Sequence, residues 1–233
     1  MKKLIFILTG LIVMSVVGAQ SLEDIVTKYT AANKLDKMSG LKTLKLTGKM
    51  SMMGMEMPME IWMKNPNKIK SVTNISGQEM IQAFNGEKGY MINPMTGSSE
   101  PVEMTPDQIQ QVTRSNMFQN EIMGYLKDGK LALEGEESVN GNPAFKLKAT
   151  IQEGIATNLF IDKTTFLLVK SVINTTQQGM PITVESYPSE YTETNGVMLP
   201  MKTTTSTSGM EFVLTFTKVE VDIPMEDSIF NLK

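Results

Sequence analysis

The chain has no histidine and no cysteine among its 233 residues, a single tryptophan, and only 6% aromatic residues in all. Without histidine it lacks the commonest general base, the commonest metal ligand and every Ser–His or Cys–His nucleophile. Without cysteine it has no disulfide, no thiolate site and no N-terminal thiol for lipid attachment, so its stability must come from its core. Any chemistry would fall to carboxylates, lysines and tyrosines. A formal net charge of −3 offers no basic footprint for nucleic acid or anionic lipid.

Methionine is what the chain has in excess, with 21 residues. It is densest at residues 50–63, M-S-M-M-G-M-E-M-P-M-E-I-W-M. From Met55 onward, Met55, Met57, Met59, Ile61 and Met63 share one parity, and Glu56, Pro58, Glu60, Trp62 and Lys64 the other. Period two marks a strand with one apolar and one wet face. Methionine is unbranched and polarizable, so a face built from it fits irregular or varied apolar ligands and specifies a unique core poorly. Apolar periodicity reports burial and not what is buried, so plain core and ligand lining both stand at this point. Thioethers also suit Cu(I), but the methionines continue along the whole chain instead of gathering at one place. Glu56 with Glu60, and Glu134 with Glu136 and Glu137, are the carboxylate groupings a hydrolase could use; such clusters are ordinarily solvated. The residues therefore designate no catalytic group, metal site or cofactor, and the chain reads as a non-enzyme.

Met1-Lys2-Lys3, an apolar run over residues 4–17, and small residues at Val17-Gly18-Ala19 form a secretory leader, with cleavage expected after Ala19. Residues 20–233 are expected to be one exported domain in the periplasm. Ser21 caps an amphipathic helix expected over residues 21–37. Alternating strands follow at 44–52, 55–64, 68–75, 80–84 and 90–93. Thr105-Pro106-Asp107-Gln108 is a helix start, with threonine as N-cap and proline at N1, and helix runs to about 127 with a break near 115. Strands are expected at 131–139, 145–151, 158–161, 167–174, 182–187, 197–205 and 210–221, with tight turns at Asn140-Gly141 and Asn195-Gly196. Helices grouped on one face of a long antiparallel meander make an α+β layer architecture.

Ile61-Trp62-Met63-Lys64-Asn65-Pro66-Asn67 resembles the "L-W-V-K-R-P-N" stretch of the LolA/LolB-type periplasmic lipoprotein carriers. Residues 84–94, F-N-G-E-K-G-Y-M-I-N-P, resemble the next motif of that family. Phe160-Ile161-Asp162-Lys163-Thr164 and Asp227-Ser228-Ile229-Phe230 resemble its "hydrophobic-D-x-x-T" turn and terminal D-x-x-F. The resemblance implies a strongly curved, unclosed antiparallel β-barrel, a half-barrel, with helices covering the concave face. It implies that the hollow holds acyl chains of a lipoprotein or other lipid during outer-membrane lipoprotein sorting. Inner- and outer-membrane transfer partners would follow, for a monomeric carrier that binds no nucleic acid. Asn65 stands where the family's carrier has an arginine that helps hold the helical lid, and asparagine lacks that charged, multi-donor fork. The expected lining is Met50, Met52, Met55, Met57, Met59, Ile61 and Met63, with Phe84, Phe212, Leu214 and Phe216. The alternatives are an envelope structural or interaction protein without a lipid ligand, and a methionine-rich Cu(I) binder.

Overall fold

The computed structural model describes residues 20–232 except 98, 115, 153, 178 and 179. The expected leader lies outside the described residues. Among the described residues, thirteen strands form one antiparallel sheet. The first six are β1 (Thr43–Met52), β2 (Met55–Lys64), β3 (Lys68–Ile75), β4 (Gln78–Phe84), β5 (Gly89–Ile92) and β6 (Val102–Glu103). The other seven are β7 (Leu131–Val139), β8 (Asn142–Gln152), β9 (Ile155–Asp162), β10 (Leu168–Gln177), β11 (Met180–Thr194), β12 (Val197–Thr207) and β13 (Met210–Val221). Two-residue connections at Asn140-Gly141 and Asn195-Gly196 have positive φ at both positions, the primed turns whose twist matches the strands they join.

The order across the sheet is β6-β5-β4-β3-β2-β1-β13-β12-β11-β10-β9-β8-β7. Every neighbour is also a neighbour in sequence except β1 and β13, which pair in the middle and join the two halves. Strands β6 and β7 are therefore opposite edges of an unclosed sheet, and the chain between them must travel from one edge to the other. Residues 104–130 make that journey as a helical strap over the concave face, with α3 (Pro106–Thr113) and α4 (Glu121–Lys127). The expected capping box opens α3: Gln108 N donates to Thr105 Oγ1, and Thr105 N to Gln108 Oε1.

The helix expected over residues 21–37 is two helices, α1 (Leu22–Ala32) and α2 (Leu35–Gly40). Asn33 breaks it because its side chain competes for backbone groups, donating to Tyr29 O at 2.9 Å and Phe166 O at 3.4 Å. Lys34 then turns left-handed at φ 52°, and the redirected α2 drives Met38 into the core at 2% exposure. The strand expected over 182–187 extends to Thr194, because β12 pairs with it in constant register on both sides of Pro188, while β10 pairs with it no further than Ser186, so the proline lies past the end of the β10 ladder.

Two apolar clusters lie between sheet and helices. Under α2 and the strap, Met38, Leu44, Leu46, Met63, Phe118 and Val197 are buried together. Under α1 and α4, Ile25, Val26, Ile122, Phe145, Leu147 and Ile161 are buried together. The β1–β13 join needs Gly48: a Cβ there would stand 2.1 Å from Thr215 O, at the bulge where the register shifts between Thr47 and Gly48.

The opposite face carries a small buried cluster of Val139, Ala144 and Phe160 at β7–β9 and is wet around β1–β3. Trp62 lies there, flanked by Lys45 and Lys70 at 4.9 and 5.7 Å from its ring, while Lys45 also pairs with Glu60 at 2.8 Å. The single tryptophan therefore covers part of the outer face.

Candidate ligand hollows under the helical strap

Strand parity sets which side chains reach the concave face. Cross-strand pairing places Met50 opposite Met57 and Leu214, and Met59 opposite Gly48 and Thr73. Strand β2 then runs from open solvent to deep core along one face. Met55, beside the hairpin tip, is 51% exposed, whereas Met63 is 1% exposed at the other end. Between them, Met50, Met59, Ile61 and Leu214 line a hollow of about 400 Å³ that α3 roofs with Val112, Gln108 and Gln111. The expected lining thus divides by depth. Met50, Met59, Ile61 and Leu214 face the hollow, while Met63, Phe84 and Phe216 sit in the core beside it. Met57 is buried at 5%, Met52 and Phe212 are half-buried towards the hairpin tip, and Met55 is exposed.

The hollow also has lining that alternation alone missed: Met80 on β4, and the polar Ser71, Thr73 and Gln82. Ser71 and Thr73 occupy inward positions of β3, in step with Ile69. Polar residues at apolar parity were the signal available for them.

A second hollow, of about 420 Å³, lies on the same face at the other half of the sheet. Leu159, Ser171 and Ile173 form its floor, with Tyr29, Ile122 and Tyr125 descending from α1 and α4 and Arg114 and Glu121 belonging to the strap. None of the residues expected as lining reaches it. Burial, with Glu121 second, pushes the Tyr29 hydroxyl up to about 12. Desolvation raises the Glu121 carboxyl above its ordinary range, against a smaller lowering by Arg114.

Neutral amides hold the helices over these hollows. Asn65 Nδ2 donates to Ser39 O at 3.0 Å and Leu41 O at 2.8 Å, tying the end of α2 to the turn after β2. Asn116 Nδ2 donates to Pro66 O at 2.7 Å, which ties the strap to the same turn. Asn120 Nδ2 donates to Thr30 Oγ1 at 2.9 Å, joining the start of α4 to α1. The position at which the resemblance places arginine therefore still grips one covering helix, α2, through an uncharged side chain.

The terminal motif meets the same turn. Asp227 accepts from Lys64 and Lys68 at 2.6 and 2.8 Å, and Phe230 is wholly buried. These two lysines hold the Asp227 carboxyl down at about 2. In the D-x-x-T turn, Asp162 Oδ1 accepts from Thr164 N, Thr165 N and Thr165 Oγ1. Its pKa is lowered although desolvation pushes the other way, because these hydrogen bonds outweigh it.

The fold is that of the LolA-like half-barrels. A LolA superfamily protein from Nitrosomonas europaea superposes with a TM-score of 0.58 at 14% identity, covering 91% of this chain and 98% of the other. A domain from Vibrio parahaemolyticus, described as an outer membrane lipoprotein-sorting protein, gives 0.59 at 13%, covering 89% and 95%. A DUF1329 family protein from Desulfovibrio piger gives 0.59 at 14%, covering 89% and 97%. No family model matches the sequence, and no curated protein matches it. At these identities the likeness establishes the fold and leaves function to the site.

Proposed function

We propose that the protein is a non-enzymatic, periplasmic carrier that holds acyl chains of a lipoprotein or other lipid against the concave face, in outer-membrane lipoprotein sorting. The observation that carries this reading is the hollow between β1–β4, β13 and α3. Its volume of about 400 Å³ falls within the ~300–1,000 Å³ of ordinary small-ligand sites, and thioether and aliphatic groups make much of its wall. Each methylene removed from water there contributes about 0.8 kcal/mol. Methionine rotamers let one cavity fit chains of different length. Residues 1–19 act as the export leader in this reading, and residues 20–233 act as one monomeric domain. Transfer partners at the inner and outer membranes load and unload it.

The distribution of carboxylates supports a carrier over a hydrolase. Glu134, Glu136 and Glu137 lie on the edge strand β7, each paired to a lysine: Lys148, Lys163 and Lys146. Glu56 and Glu60 are paired to Lys49 and Lys45 on the wet face. The methionines of β2 are strung along a strand at about 3.3 Å per residue, so Met55 and Met63 stand roughly 26 Å apart and cannot all converge on one Cu(I).

The test is native mass spectrometry of the protein purified from its own host's envelope, followed by denaturing extraction. An acylated species is expected in the native spectrum, and its loss is expected in a folded Met50→Asp, Met59→Asp double variant. A clean apo mass with no uptake of added lipid would make the methionine face ordinary core.

A further inference from the structure

The second hollow contains chemistry that a bare hydrocarbon would leave unused. The methionine hollow has no charged side chain in its wall. The second hollow has Arg114, the only arginine in the sequence. Every ion pair among the described residues is made by a lysine, so the guanidinium is held by no carboxylate there. Tyr29 lines the same hollow, and its hydroxyl has no hydrogen-bond partner among the described residues. No fully enclosed side-chain oxygen or nitrogen among them lacks a partner, so this hydroxyl is not fully enclosed. Ile122, Leu159, Leu168 and Ile173 supply apolar wall around these donors.

A largely apolar hollow whose wall includes an exposed guanidinium, which makes no ion pair among the described residues although its charge acts on Glu121, and a tyrosine hydroxyl is complementary to an amphiphile. The guanidinium fork matches the paired oxygens of a carboxylate or phosphate. We propose that the second hollow binds a single alkyl chain ending in an oxyanion, anchored by Arg114 and receiving a further hydrogen bond from Tyr29. This rests on the reading of the concave face as an acyl-chain site and adds a head-group class to it. Glu121 is the acid in the hollow's wall, and it works against an arriving anion. Desolvation raises its carboxyl above the ordinary range, against a smaller lowering by Arg114.

The proposal is tested by titrating the purified protein with palmitate, hexadecyl phosphate and hexadecanol in a calorimeter. The anions are expected to bind more tightly than the alcohol. Arg114→Gln is expected to weaken both anions about tenfold, the range of a charge-assisted pair, and to leave hexadecanol unchanged. Tyr29→Phe should weaken all three ligands a few-fold, whereas Glu121→Gln should tighten the anions and not the alcohol, a gain that misfolding would not produce. Whichever of palmitate and hexadecyl phosphate depends more on Arg114 identifies the head group as carboxylate or phosphate. Equal binding of anion and alcohol, or anion binding indifferent to both Arg114→Gln and Glu121→Gln, overturns the head-group site and leaves acyl-chain carriage standing. If none of the three binds while a co-purified acylated species is retained, the head-group site again falls alone. If nothing binds and nothing co-purifies, both readings fall.

Discussion

Removing the Asn65 side chain should release α2 without unfolding the sheet. In Asn65→Ala two hydrogen bonds disappear. Ser39 O is exposed and water replaces its donor, at a cost of about 0.5 kcal/mol. Leu41 O is partly buried, and losing its 2.8 Å donor costs about 1–1.5 kcal/mol. The sum, about 1.5–2 kcal/mol, corresponds to a roughly 10–30-fold rise in the population in which α2 has lifted. Asn65→Asp should be worse at neutral pH, because an ionised carboxylate offers only acceptors to two carbonyl oxygens. The assay is hydrogen exchange at the amides of Met38 and Leu41, which close this short helix by donating to Lys34 O and Met38 O. Both should lose protection by that factor in Asn65→Ala, while amides in α1 keep theirs. Unchanged exchange at Met38 and Leu41 would refute the argument that this asparagine is the latch. If the latch governs the hollows, the variant should also exchange bound lipid faster.

Three further outcomes follow from particular contacts. Gly48→Ala should destabilise the protein by about 3 kcal/mol or more, read in a denaturant melt, because its Cβ meets backbone at Thr215 O that cannot step aside. Acidification should loosen the C-terminal segment. The Asp227 pKa is depressed from 3.8 to about 2 by Lys64 and Lys68, so the stabilisation is complete above about pH 4 and is lost as pH falls through about 2. Exchange at Asn231 N, which donates to Ser228 O, should rise over that window and should not in Asp227→Asn. Trp62 emission should stay constant on lipid loading, because its ring lies between Lys45 and Lys70 on the wet face; a shift on loading would place ligand on the wrong side of the sheet.

Much of the fold was legible because it rests on local rules. Strict alternation located β2 from Met55 to Lys64, the capping box located α3, and Asn-Gly pairs located the tight turns. Asn33 was misjudged because its competition with the helix depends on Phe166 O, 133 residues away in the chain. The candidate site was half legible for a related reason. Parity states which face a residue occupies, so Met50, Met59 and Ile61 were legible as residues of the concave face. It does not state how far along that face the covering helices reach, and that decides whether a methionine is hollow wall, core or solvent-exposed tip. The second hollow left no periodic trace, since its residues come from α1, α2, the strap and the strands β8, β9 and β10.

The sequence by itself determined the chemistry in play: no imidazole, no thiol, a thioether-rich strand face and mild acidity. It also determined the succession of strands, because period-two patterning and turn residues act within a few positions of one another. Only the tertiary structure decided what those strands enclose. Pairing β1 with β13 sends β6 and β7 to opposite edges, and that forces residues 104–130 across the concave face. The strap therefore follows from long-range closure, and so do both hollows and the presence of Arg114 and Tyr29 in the wall of one of them. Such contacts are set by which edges remain unpaired once the sheet has formed, a property of the whole chain and of no segment in it.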